Sequence, residues 1–253
     1  MEDVFERVHR QDESADEGSR LNLLDISEMA DLPVKQSWNG GAKSDLSEAE
    51  KPVPRNTEKW RTEHSSLSQK SQTTEPSLVF YGDSITKGMS EGNALKKAFG
   101  NSAENFGIIG DSTQHLLWRL QNGEANFKKP PEKGVLLIGA NNVGHQSNDD
   151  IVKGILADLK EAQKRMPDTK WLVLGVLPQG RNANDPRRAE IKDINEKLAQ
   201  ALKGMPNVQF FDAGPAMLEK DGSMSDRVWW RDGLHPRNYD PLFDKVKEQL
   251  KKF

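Results

Sequence analysis

From about residue 57 onward, five short runs rich in apolar residues, Leu78–Tyr81, Asn105–Ile109, Val135–Ile138, Trp171–Val176 and Val208–Phe211, alternate with longer amphipathic stretches. Parallel strands need a crossover, usually a helix, and are buried on both faces, so this alternation predicts an α/β domain with a five-stranded parallel sheet wrapped by helices. The clearest helix begins after Ser147, a cap residue with Asp150 three positions on. It places Ile151, Ile155, Leu159, Ala162 and Met166 on one stripe before Pro167 stops it. Further helices are expected near 58–70, 89–99, 112–121, 186–203 and 239–252.

The first 56 residues do not share this pattern. They are rich in Asp, Glu, Ser and Gly, with breakers at Gly40-Gly41 and Pro52-Val53-Pro54. Residues 1–55 hold thirteen acidic and seven basic residues, a net of −6 against −3 for the whole chain, so the acidity belongs to this segment. The expected organisation is an acidic, weakly ordered extension over 1–56 and one domain over 57–253. Inside the extension, Leu21, Leu24, Ile26, Met29 and Leu32 form a short apolar cluster that could dock on the domain or a partner.

Several functions are excluded or disfavoured. There is no cysteine, which rules out disulfides, thiolate metal sites and a cysteine nucleophile. No Lys/Arg cluster is interleaved with aromatics, so no nucleic-acid partner is expected. No apolar stretch approaches the roughly 20 residues of a membrane span, and Met1-Glu2-Asp3-Val4-Phe5-Glu6 lacks the basic start of a secretory signal. The expectation is a soluble chain, cytoplasmic by default; a numbering that starts at a processed terminus would leave secretion open. No pair of histidines has metal-ligand spacing, and no metal or cofactor is expected.

In open parallel sheets, ligands bind outside the carboxyl ends of the strands. Ser84, Gly110 and Asn141 each follow a predicted strand end, and a loop after the fifth strand could bring Asp232 and His235 to the same rim. An Asp three residues before a His can orient the imidazole and stabilise its protonated form. The imidazole could then deprotonate the Ser84 hydroxyl as it attacks a carbonyl. Backbone N–H groups of Ser84 and Gly110 and the Asn141 side-chain amide would supply three donors to the resulting oxyanion.

Gly82-Asp83-Ser84, Gly110, Gly139-Ala140-Asn141 and Asp232-Gly233-Leu234-His235-Pro236 together resemble the four blocks of the SGNH, or GDSL, hydrolase superfamily, across roughly residues 57–253. Asn105 to Thr113, and Asp221-Gly222-Ser223 ahead of the Asp-x-x-His block, are similar to its branch of platelet-activating-factor acetylhydrolase alpha subunits and bacterial acetylesterases. The resemblance implies a three-layer α/β/α sandwich of flavodoxin-like type. It implies Ser84 as nucleophile, His235 as base, Asp232 as its orienter, and Ser84, Gly110 and Asn141 as oxyanion donors. Asn142 stands where the wider superfamily often has Asp.

Gly-Asp-Ser recurs at 110–112, but the resemblance gives that copy's glycine to the oxyanion hole, which favours Ser84 over Ser112. Gly88-Met89-Ser90-Glu91-Gly92 matches a nucleophile elbow in letters, yet no strand runs into it. His145, on the loop after Asn141, is a candidate substrate contact, as are Arg181 and Arg231. Trp118, Trp229 and Trp230 are core residues by default. Because neighbouring Trp229 and Trp230 cannot easily both be buried in one direction, one of them is expected to face the cleft and stack on a sugar or an acyl chain.

The reading is a serine esterase acting on short-chain esters, an acetyl ester of a carbohydrate or similar small molecule, because the branch it resembles favours small acyl groups. Two alternatives stay open: a lysophospholipase or thioesterase with a longer acyl preference, and a non-catalytic binding protein on the same fold. The oligomeric state is not readable.

Overall fold

The computed structural model describes residues 46–253. The acidic stretch before them and the apolar cluster from Leu21 to Leu32 lie outside the described residues.

Five parallel strands form one sheet: β1 (Leu78–Gly82), β2 (Ala103–Gly107), β3 (Lys133–Leu137), β4 (Lys170–Leu174) and β5 (Val208–Phe211), in the order β2-β1-β3-β4-β5. Among the described residues, seven α-helices connect or flank them: α1 (Glu58–Thr73), α2 (Ser84–Gly88), α3 (Ala94–Phe99), α4 (Thr113–Arg119), α5 (Asn148–Arg165), α6 (Pro186–Leu202) and α7 (Asp240–Leu250). Side chains alternate across each strand, which divides the interior into two layers. Val79, Tyr81, Leu136 and Val173 pack with Trp60, Leu116, Ile155 and Ile194 of α1, α4, α5 and α6. Phe80, Val135, Leu137 and Leu172 pack with Ile85, Leu95 and Phe243 of α2, α3 and α7. The result is the expected three-layer α/β/α sandwich. Among the described residues, no helix is long and apolar enough to cross a membrane.

Three departures from the sequence expectation have local causes. β2 begins at Ala103 rather than Asn105, because an edge strand tolerates a charge and Glu104 is paired with Lys70 and Lys96 at 2.8 and 3.3 Å. β4 ends at Leu174 because the next free donor, the Val176 N–H, goes to Asn195 Oδ1 at 2.8 Å. The helix expected from residue 89 starts only at Ala94, because Gly92 and Asn93 both take positive φ.

Residues 46–56, grouped with the extension on composition, pack on the domain. Ala49 is buried and its carbonyl accepts from Thr113 Oγ1 at 3.0 Å. Val53 N–H donates to Gln114 O at 3.1 Å, and Arg55 Nη1 donates to Ile109 O at 2.8 Å. Gly154 on α5 makes this possible: a Cβ there would lie 2.9 Å from Ala49 and 2.5 Å from Thr113 Oγ1. Composition hides the contact, since a segment of charges and prolines docks through one buried alanine and a few hydrogen bonds.

The strand order reverses around β1, which has β2 on one side and β3 on the other, and the crevice at such a switch point is where open α/β sheets bind ligands. Ser84 follows β1 and Asn141 follows β3.

Candidate active site

β1 is buried along its whole length and runs directly into α2, so the turn between them is tight. Asp83 caps α2 by accepting the Ile85 N–H on Oδ1 at 2.9 Å. Ser84 is thereby the first residue of the helix, where its backbone N–H has no intrahelical acceptor. Its hydroxyl lies 2.8 Å from His235 Nε2, and His235 Nδ1 lies 2.7 Å from Asp232 Oδ2. With the ring proton on Nδ1 donated to Asp232, Nε2 is left to accept from Ser84, which is the tautomer this chain of contacts favours.

Asp232 is prepared for that task. Its Oδ1 accepts the backbone N–H groups of Leu234 and His235 at 2.9 and 3.0 Å, an Asx turn that points Oδ2 at the imidazole. Burial works to raise its pKa, but the bonds from His235 and from the two backbone groups outweigh it, so the carboxyl sits below its ordinary value.

Gly110 and Asn141 come together through Asp111. Gly110 takes φ +77°, and a side chain there would meet the Arg55 guanidinium at 2.6 Å. Asn141 Nδ2 donates one N–H to the Asp111 carbonyl at 2.8 Å, which leaves the other for a ligand. Asn142 is structural. Its Oδ1 accepts the Thr113 N–H, and its Nδ2 reaches Gln146, Gln114 and Thr113 Oγ1 at 2.7–3.1 Å. An aspartate could not donate to those oxygens, which accounts for the amide at this position.

The competing serines sit elsewhere. Ser112 precedes α4, its N–H donating to His115 Nδ1 at 3.0 Å. Ser90 is exposed in the turn after α2, with no strand leading into it.

The expected substrate contacts fare differently. His145 is exposed in the turn after Asn142. Arg181 is occupied: it donates to the carbonyls of Trp230 and Met224 and to Asp226. The expectation that Trp229 or Trp230 opens to the cleft is corrected, since they are 1% and 5% exposed. Trp229 joins the α7 side of the core and donates its indole N–H to Met217 O at 2.7 Å, while Trp230 lies under the Arg237 guanidinium. Both can be buried because Trp229 bridges to Pro236 in antiparallel fashion and the chain folds back between them. Trp118 packs with Trp60 and His64 beside α1.

Two buried acids near the site were not anticipated. Burial pushes the Asp83 pKa up to about 7, partly opposed by the Ile85 bond and by His235. Burial likewise takes Asp111 up to about 6 against the pull of Arg119. The second Gly-Asp-Ser was the one sequence signal that could have drawn attention to Asp111. Among the described residues, no three His, Asp or Glu side chains gather so as to hold a metal ion.

The GDSL-like Lipase/Acylhydrolase family matches residues 80–238. Platelet-activating factor acetylhydrolase IB subunit alpha1 from Bos taurus is 37% identical over 196 residues, 76% of this chain and 83% of its own. Subunit alpha2 from Homo sapiens is 34% identical over 200 residues, 76% of this chain and 86% of its own. Among solved structures, a GDSL-like lipase from Bacteroides thetaiotaomicron superposes with a TM-score of 0.59 at 21% identity, covering 78% of this chain and 98% of its own.

Proposed function

The chain belongs to the GDSL-like lipase/acylhydrolase family and is a hydrolase, and from that premise we propose that it cleaves short-chain carboxylic esters, acetyl esters foremost, through an acyl-enzyme on Ser84. The observation that carries the proposal is the continuous contact chain Ser84 Oγ, His235 Nε2, His235 Nδ1, Asp232 Oδ2, with steps of 2.8 and 2.7 Å.

In this reading Ser84 Oγ forms a bond to the ester carbonyl carbon as its proton passes to His235 Nε2. The carbonyl oxygen becomes an oxyanion, met by the N–H groups of Ser84, Gly110 and Asn141. Collapse breaks the bond to the alcohol, which takes the proton from His235. Water, deprotonated by the same nitrogen, then attacks the acyl-Ser84 ester; collapse breaks the bond between the acyl carbon and Ser84 Oγ, which takes the proton back from His235 as the acid leaves. Asp232 stays ionised throughout and stabilises the imidazolium.

The acetyl preference draws on the relatives, which carry the name acetylhydrolase. Neither Trp229 nor Trp230, one of which was expected to stack on a sugar or an acyl chain, supports a sugar on the alcohol side, because both are buried.

Hydrolysis of p-nitrophenyl acetate, butyrate and octanoate by wild type and Ser84→Ala tests the proposal. The expected result is fastest turnover of acetate, lost in Ser84→Ala by about 10⁴-fold or more. A preference for octanoate would replace the short-chain reading with a lysophospholipase-like one. Undiminished turnover by folded Ser84→Ala would overturn the nucleophile assignment, and no turnover of any ester by wild type would favour a binding role.

A further inference from the structure

Behind the β1 and β2 ends lies a buried charged cluster with no part in the proton path. Arg119, the last residue of α4, is fully buried. Its Nε donates to Asp111 Oδ2 at 2.6 Å, Nη1 to Phe106 O at 3.0 Å and to Glu124, and Nη2 to Gly82 O at 3.0 Å. Asp111 Oδ1 accepts Trp60 Nε1–H from α1 at 2.7 Å. A single π-helical turn, Leu120–Glu124, brings Glu124 back to Arg119.

Removing these charges from water is costly, and an apolar set of the same volume would often be no less stable. What the charges supply is direction. Arg119 holds the carbonyl of Gly82, two residues before Ser84, and the carboxylate of Asp111, directly after Gly110. The carbonyl of that same Asp111 takes one N–H of Asn141. One buried node thus ties the nucleophile strand to both the Gly110 loop and the Asn141 amide.

We infer that Asp111, clamped between Trp60 and Arg119, is a positioning residue that fixes the Gly110 loop and aims the Asn141 carboxamide at the carbonyl under attack. The inference rests on the acyl-transfer reading above. Asp111 touches no substrate; it acts through its two neighbours.

The test is a double-mutant cycle on the full chain with p-nitrophenyl acetate. Asp111→Asn is the direct variant, but it removes one of the two buried carboxylates that pair with Arg119 and risks misfolding. Trp60→Phe is milder, since it keeps a ring against His64 and Trp118 and removes one N–H. The expected result is a fall in kcat of about tenfold with KM unchanged within about twofold, the scale of one lost buried hydrogen bond. The Trp60→Phe/Asn141→Ala double variant should then lose less than the product of the two single losses, because the two changes share the Asn141 donor while the Gly110 donor responds to Trp60→Phe alone. An unchanged kcat in folded Trp60→Phe, or losses that multiply in full, would overturn the inference. Ser84→Ala, run alongside, reports separately on the acyl-transfer reading.

Discussion

The backbone N–H of Gly180 donates to the carbonyl of Gly233 at 2.8 Å, joining the loop after β4 to the turn between Asp232 and His235. That turn is closed from within by Gly233 N–H to Trp230 O and Trp230 N–H to His235 O, and Arg181 packs against Gly233. Gln179 in the same loop donates to Ala140 O at 2.8 Å, beside Asn141. The segment bearing Asp232 and His235 is therefore pinned to the sheet.

Because the backbone sets the geometry of this turn, Asp232→Asn should leave the fold intact. An amide at Oδ2 would present N–H to the imidazole or force the other tautomer, and either spoils Nε2 as an acceptor. The Asp232 side chain is 30% exposed, so solvent shares its work. The expected loss in kcat is about 10²- to 10⁴-fold, less than for Ser84→Ala. Equal losses in the two variants would contradict this ranking.

Gly110→Ala should slow turnover by at least about tenfold and lower the thermal midpoint by a few degrees, since an alanine at positive φ carries roughly 1–3 kcal/mol of strain. The added methyl also meets Arg55, which holds the neighbouring Ile109 carbonyl. Steady-state kinetics and a melting curve on one preparation check both effects; an unaltered kcat would remove Gly110 from the oxyanion assignment.

Asp83 makes stability depend on pH in a defined direction. Its folded pKa of about 7 lies above the ordinary 3.8, so the native state binds more protons than the unfolded one between those values. Its contribution is complete below pH 4 and is lost as pH rises through 7. Asp83→Asn cannot ionise, and its thermal midpoint should gain on wild type from pH 4.5 to about 7 and level off above it. Comparing the two proteins cancels the opposite trend from His115, whose pKa burial lowers to about 3. A midpoint difference that stays constant across the range would refute the shift.

Trp229→Ala should cost about 3–5 kcal/mol in urea unfolding, as expected for a core tryptophan that also loses a hydrogen bond to Met217. A cost below about 1 kcal/mol would mean that the ring is not part of the core.

The strands were legible because each is an apolar run between breakers, and five of them alternating with amphipathic stretches admit few folds. Ser84, Gly110, Asn141, Asp232 and His235 could be singled out because each stands at a strand end or in a compact motif. The Asp111–Arg119–Glu124 cluster was not legible: a charged residue on an amphipathic helix reads as solvated, and nothing local says that α1 covers it. Trp229 and Trp230 were misread for a related reason, since adjacent positions point opposite ways only while the chain stays extended. The short α2 was also missed, because a five-residue helix started by Asp83 looks like a turn.

Ser84 and His235 are separated by 151 positions, and their meeting requires β1, the strands beyond it and the pinned turn to be in place together. Helices draw on contacts between sequence neighbours and form early, whereas a pairing of such long range waits on the slowest closure of the chain. When the denatured protein is refolded, its circular dichroism will return before its turnover does. The esterase signal is thus a clock for the last act of assembly, and the interval between the two recoveries times the docking of one short turn.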